Sequence, residues 1–136
     1  MEITVSKQQG QVPVAVVQPH GDVDASNYTE LVNKVEELRK EGTNDFVIDL
    51  SDVPFMSSAG LVALHSIAIL MRGEKPVDSQ SGWGALKAMD RDRDRGVQKH
   101  VKLLNPQQYV AETFDKAGFT QFFEIFSDLQ KAVASF

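Results

Sequence analysis

Two adjacent hydroxyls, Ser57 and Ser58, lie in the run Phe55-Met56-Ser57-Ser58-Ala59-Gly60-Leu61, and they are the residues best placed to do chemistry. A strand pattern ends at Leu50, a short loop follows and an apolar helical pattern comes after them, so they stand where a helix begins. The free N–H groups and positive dipole end of a helix favour negative charge, and a phosphate on Ser58 would be stabilised there. The same placement suits Ser57 as an ordinary N-cap with Ser58 as the next helical residue, because Ser is a preferred cap.

A third chemistry is nucleophilic. The segment Met56-Ser57-Ser58-Ala59-Gly60 is close to the G-x-S-x-G elbow of the α/β-hydrolases, and His100 follows in the chain order that such enzymes use. It lacks the first Gly of that strained turn, no Gly-rich oxyanion segment precedes it, and the scaffold is small for that class. A small serine hydrolase is therefore the weakest of the three readings. The run His20-Gly21-Asp22-Val23-Asp24 offers a second cluster. Carboxylates two residues apart at a strand end can attract Mg²⁺ or a partner's Arg or Lys, or can serve as loop and cap acceptors.

Other chemistries are disfavoured by what the chain lacks. It has no Cys, and His20, His65 and His100 stand far apart, so neither a catalytic metal nor a thiolate nucleophile is expected. No G-x-x-x-x-G-K-[ST] or G-x-G-x-x-G occurs, and no cofactor is expected. The 14 basic and 19 acidic side chains give −5, which argues against a nucleic-acid or anionic-membrane surface. Residues 1–72 hold 5 basic and 10 acidic groups, while residues 73–98 and 99–136 each balance, so the whole excess belongs to the half that contains Asp22, Asp24 and Ser58. The opening Met1 to Lys7 has no signal-peptide character, and the apolar run Ala59 to Met71 is too short to span a bilayer. A cytoplasmic protein is expected.

The elements that must position these groups are legible from periodicity. Ile3-Thr4-Val5 and Val12 to Val17 predict a hairpin turning at Gln8-Gln9-Gly10, with Pro13 near the start of its second strand. Leu31, Val35 and Leu38 predict an amphipathic helix from Ser26, with Asn27 and Glu30 fitting a capping box and Gly42 a stop. Phe46 to Leu50 reads as a strand buried on both faces. The helix from about Ser58 to Met71 is apolar around much of its circumference and should lie against the sheet. Val101 to Asn105 is a strand, Pro106 marks the start of a helix ending at Gly118, Phe122 to Phe126 is a last strand, and Ser127-Asp128 caps a terminal helix.

Residues 73–98 break this rhythm with Gly, Pro, Ser and charge, and they predict a solvated, mobile insertion. The alternative is a docking arm with Trp83 as its anchor. In the alternative, Trp83, Leu86 and Met89 form one face of a short helix beside the sign-alternating run Asp90 to Arg95. The 136 residues are counted as a single domain of class α/β, a sheet covered by helices.

Three segments together carry a family resemblance: Pro19 to Asp24, Phe46 through Leu61, and Ala117-Gly118-Phe119 with Phe123 to Phe126. The chain resembles bacterial anti-sigma factor antagonists of the STAS domain family over nearly its whole length except residues 73–98. The resemblance implies a mixed β-sheet of about five strands with about four helices mainly on one face, and a protein-binding switch, not an enzyme. In such proteins the unphosphorylated form binds an anti-sigma factor that is also a serine kinase of the histidine-kinase-like ATPase type. Phosphorylation ends binding, and a serine phosphatase restores it. Carried over by position, the phosphoacceptor is Ser58, and the partner-binding residues are Asp22, Asp24, Ser57, Ser58, Gly60 and Leu61. The family usually has Asp before the acceptor and Ser or Thr after it; here Ser57 precedes and Ala59 follows, which leaves Ser57 as an alternative acceptor. A monomer or weak dimer is expected. A scaffold or transporter-associated STAS subunit that is never phosphorylated is the competing reading.

Overall fold

The computed structural model describes residues 1–73 and 98–136. Its five strands are added to one sheet in chain order: β1 (Glu2–Gln9), β2 (Pro13–His20), β3 (Phe46–Asp49), β4 (Val101–Leu104) and β5 (Ile125–Phe126). β1 and β2 form the antiparallel hairpin, and β2 through β5 pair in parallel. Parallel strands joined by right-handed crossovers and always added on the same side carry all their connecting helices on one face. Accordingly α1 (Tyr28–Lys40), α2 (Ser58–Met71) and α3 (Gln108–Ala117) share a single large core with Ala15, Val17, Phe46, Ile48, Val101 and Leu103.

The opposite face would be left bare by that topology, and the C-terminal helix α4 (Leu129–Ala134) covers part of it. Its Ala132 and Val133 pack on Val14, Val16, Val47 and Leu104. Lys102 lies on this second face at 4 % exposure, and its ammonium donates to Ser135 O at 3.1 Å and Ser135 Oγ at 2.8 Å. The same Nζ stands 4.5 Å from the centre of the Phe136 ring, so a buried cation and its partners fasten the end of α4 to the sheet. The expected architecture, a mixed sheet with helices mainly on one face, is the one observed.

Helix α2 is buried without a break from Gly60 to Ile69, as its nearly uniform apolar circumference requires, because it packs against both the sheet and α1. No helix among the described residues is long and apolar enough to cross a membrane. Several expected details differ. β5 is confined to Ile125–Phe126, because Phe122 and Phe123 turn into the core after a 3₁₀ turn at Phe119–Gln121. There Phe122 and Phe123 meet edge to face at 4.9 Å. α3 begins at Gln108, two residues after Pro106. The capping box does not form: the Asn27 side chain accepts from Asp24 N at 3.0 Å and donates to Asp22 O at 2.9 Å, bracing the preceding loop. The Trp83-centred helix, the alternating charges and the mobility expected of residues 73–98 lie outside the described residues apart from the two ends. Gly73, in the left-handed region, closes α2, and Gln98 N donates to Phe122 O at 3.0 Å.

Candidate functional site

Parallel strands place their loops at the same edge, and in open α/β sheets binding sites form outside the carboxyl ends of strands. Three connections converge there: residues 21–27 after β2, residues 50–57 after β3, and residues 105–107 after β4. The first two are zipped together by backbone bonds. Gly21 N donates to Asp52 O at 2.9 Å, Val23 N to Phe55 O at 3.1 Å, and Ser57 N to Val23 O at 3.0 Å, so that Val23 and Met56 form an isolated parallel bridge. The bridge puts Asp22 and Asp24, which flank Val23, beside the start of α2. Gln107 Nε2 donates to Ser51 O at 3.0 Å and ties the third connection to the second.

Ser57 is the N-cap of α2, and its Oγ accepts from Ala59 N at 3.2 Å. Ser58 is the first helical residue and is exposed, and no acidic residue stands in that first turn. The cap reading of Ser57 therefore holds, and it leaves Ser58 as the hydroxyl presented to solvent at the positive end of the helix. Gly60 and Leu61, expected among the partner-binding residues, are instead buried beneath the start of α2. A Cβ on Gly60 would lie 2.3 Å from Met56 Cγ and 3.1 Å from Val23 O, so the helix can approach the bridge only because this residue has no side chain.

Asp22 is exposed. Asp24 is a loop acceptor: its Oδ1 accepts from Ser26 Oγ at 2.5 Å and Ser26 N at 2.9 Å, and its carbonyl accepts from Tyr28 N at 3.0 Å to open α1. The Ser26 hydroxyl, followed by the Ser26 backbone N–H, holds the Asp24 carboxyl below its ordinary pKa despite a small opposing effect of burial. A carboxyl depressed in the folded state contributes stability above its unfolded pKa, and that contribution is lost as pH falls through the lower folded value. Ser26→Ala should move the Asp24 titration upward toward the ordinary carboxylate value, which side-chain carboxyl NMR against pH will check; an unmoved titration would refute the assigned cause.

The same edge holds side chains that sequence patterning misses. Asp52 Oδ2 lies 2.5 Å from His20 Nδ1, and His20 Nε2 lies 2.7 Å from Thr4 Oγ1, so the end of β2 is fixed both to β1 and to the loop leading to Ser58. Phe55 and Tyr109 are the two large apolar side chains left exposed among the described residues, at 39 % and 55 %, and their rings lie 5.7 Å apart. The signal for Phe55 was a lone aromatic between Pro54 and the hydroxyl pair. For Tyr109 it was an aromatic off the inward stripe of Val110 and Phe114.

The hydrolase pairing of Ser58 with His100 is not assembled. His100 precedes β4, its carbonyl accepts from Phe46 N at 2.9 Å, and its Nδ1 lies 2.8 Å from Asp45 Oδ1, all at the amino edge of the sheet. Ser58 lies beyond the carboxyl edge, and a four-residue strand alone separates the edges by about 13 Å. No group of three or more His, Asp or Glu among the described residues could hold a metal ion, so the Mg²⁺ reading of Asp22 and Asp24 finds no third ligand.

Fold and site together define a mixed α/β domain whose parallel-strand loops present a serine at a helix start. The STAS domain family model matches residues 4–75, from the hairpin through α2 and two residues beyond Gly73, and the chain belongs to that family. Solved structures agree on the fold. An anti-sigma factor antagonist from Mycobacterium paratuberculosis superposes with a TM-score of 0.65 at 17% identity, covering 98% of this chain and 93% of that one. The Bacillus cell-fate determinant SpoIIAA in its phosphorylated form gives 0.56 at 13% identity over 97% and 96%. SpoIIAA in its unphosphorylated form gives 0.52 at 16% identity over 96% and 91%. No curated protein matches the sequence.

Proposed function

We propose that this STAS domain is an anti-sigma factor antagonist switched by phosphorylation at Ser58. The unphosphorylated form binds an anti-sigma factor that is also a serine kinase of the histidine-kinase-like ATPase type and so frees a sigma factor. Phosphorylation ends binding, and a serine phosphatase restores it. The reading places the protein in the bacterial cytoplasm as a monomer or weak dimer, acting through proteins and not on nucleic acid or a membrane surface.

One observation carries the reading: Ser58 is the exposed first residue of a helix whose start is pinned by the Val23–Met56 bridge and whose first turn holds no acid. A kinase can reach that hydroxyl, and the helix end accommodates the charge added. Ser57, with its Oγ already accepting from Ala59 N, is the poorer acceptor. The likeness to the two SpoIIAA forms lends support, since one of those structures is of a phosphorylated protein. Incubation with the cognate kinase and ATP should add a single phosphate that peptide mapping places on Ser58. Ser57→Ala should still be modified and Ser58→Ala should not; undiminished phosphorylation of Ser58→Ala would sink the assignment.

A further inference from the structure

We infer that Phe55 and Tyr109 form the apolar anchor of the docking surface, and that the partner meets it with an apolar pocket rimmed by Arg or Lys. The inference rests on the proposed switch and adds to it the chemistry of the partner's surface. Large apolar side chains exposed singly are ordinary, but here the only two among the described residues are paired on one edge of the sheet. Their separation of 5.7 Å, tilted by 33°, is that of an attractive ring pair, so each holds the other in place before any partner arrives.

The backbone beneath them is fixed as well. The Phe55 carbonyl accepts from Val23 N at 3.1 Å, and Tyr109 stands on the first turn of α3, which Gln107 ties to Ser51. A rigid exposed aromatic pair on braced backbone loses little entropy on binding, the property that makes such residues dominate interface energetics. Charge complementarity identifies what covers it. The connections at residues 21–27, 50–57 and 105–107 carry Asp22, Asp24 and Asp52 and no Lys or Arg. Carboxylates carried by the same loops as an apolar pair fit a partner with basic groups beside an apolar pocket, with the charges governing encounter and the rings governing residence.

The test uses the purified chain and each purified histidine-kinase-like ATPase of its source organism, with association and dissociation rates measured at two salt concentrations. Phe55→Ala and Tyr109→Ala should each raise Kd at least about tenfold, mainly through faster dissociation, with the double variant short of additive because the rings contact each other. Asp22→Asn should slow association and flatten its salt dependence. Circular dichroism of each variant controls for folding, and Phe55→Tyr should retain most of the affinity. If a kinase binds the wild type and both alanine variants alike, the anchor is overturned while the proposed switch stands. If no kinase binds the wild type, both fall. Concentration-dependent self-association of the wild type that either alanine variant abolishes would overturn the basic partner in favour of a second copy.

Discussion

Gly60→Ala is expected to lower folding stability by about 2 kcal/mol, although the same change at an exposed helix position would raise it by about 1 kcal/mol through helix propensity. The sign reverses because of what the new Cβ meets. Met56 Cγ would stand 2.3 Å away and Val23 O 3.1 Å away. Met56 is 2 % exposed, so its side chain has little room to move, and the Val23 oxygen belongs to the bridge that accepts Ser57 N. Overpacking of this kind costs about 1–3 kcal/mol, and a backbone contact that cannot swing aside puts Gly60 near the upper end. Urea denaturation should show a lower midpoint with an unchanged slope. Met56→Ala alone should cost about 2–5 kcal/mol by leaving a cavity. Combined with Gly60→Ala the loss should fall short of the sum by at least about 1 kcal/mol, since the new methyl enters the vacated space. Strict additivity would show that the two residues do not compete for the same volume. The loss bears on function because any relief of the clash moves the first turn of α2, and with it Ser58, away from the loop that carries Asp22 and Asp24.

The sequence reveals α2 more fully than any other element, for a physical reason. A helix pressed between a sheet and another helix has no polar face, so both its bounds and its burial follow from a run of apolar residues. A single sheet covered by helices was readable from the alternation of strands and helices, and the helix start from the two serines, whereas the strand order came only from the pairing of the strands. What local pattern could not supply is competition from tertiary partners. Phe122 to Phe126 has the composition of a strand, yet Phe122 and Phe123 gain more by joining Phe114 and Phe119 in the core than by extending β5. Asn27 has the type and spacing of a cap, yet its amide satisfies the Asp22 and Asp24 backbone instead, because two loops must be held parallel at that point. The Thr4–His20–Asp52 chain and the Phe55–Tyr109 pair join residues more than 15 positions apart, and no periodicity within one segment encodes such a meeting. Ser57 and Ser58 were distinguishable only in role, as cap or acceptor. The cap bond to Ala59 N and the exposure of Ser58 separate them.

If the proposed switch operates, Ser58→Asp should weaken binding to the proposed kinase partner by about a hundredfold or more while leaving folding stability unchanged or raised by up to about 1 kcal/mol. The two effects have opposite signs because they act on different surroundings of one charge. Within the free protein, a carboxylate in the first turn of α2 meets unpaired N–H groups and the positive dipole end, which is worth about 0.3–1 kcal/mol at an exposed position. In the complex the same carboxylate joins Asp22, Asp24 and Asp52 on an edge whose connecting loops carry no Lys or Arg. A partner surface that already balances those three has no counterpart for a fourth. Leaving a desolvated charge unpaired in an interface costs about 3–5 kcal/mol, and even partial solvation leaves more than the 2.7 kcal/mol that a hundredfold requires. Phosphoserine, at about −1.5 to −2, should act more strongly still. Urea unfolding and titration calorimetry on the same preparations separate the two effects. A variant that binds normally would refute the electrostatic basis of the switch. A variant destabilised by more than about 1 kcal/mol would instead point to a conformational change spreading from α2, because a charge confined to the exposed end of a braced helix has no other route to the core.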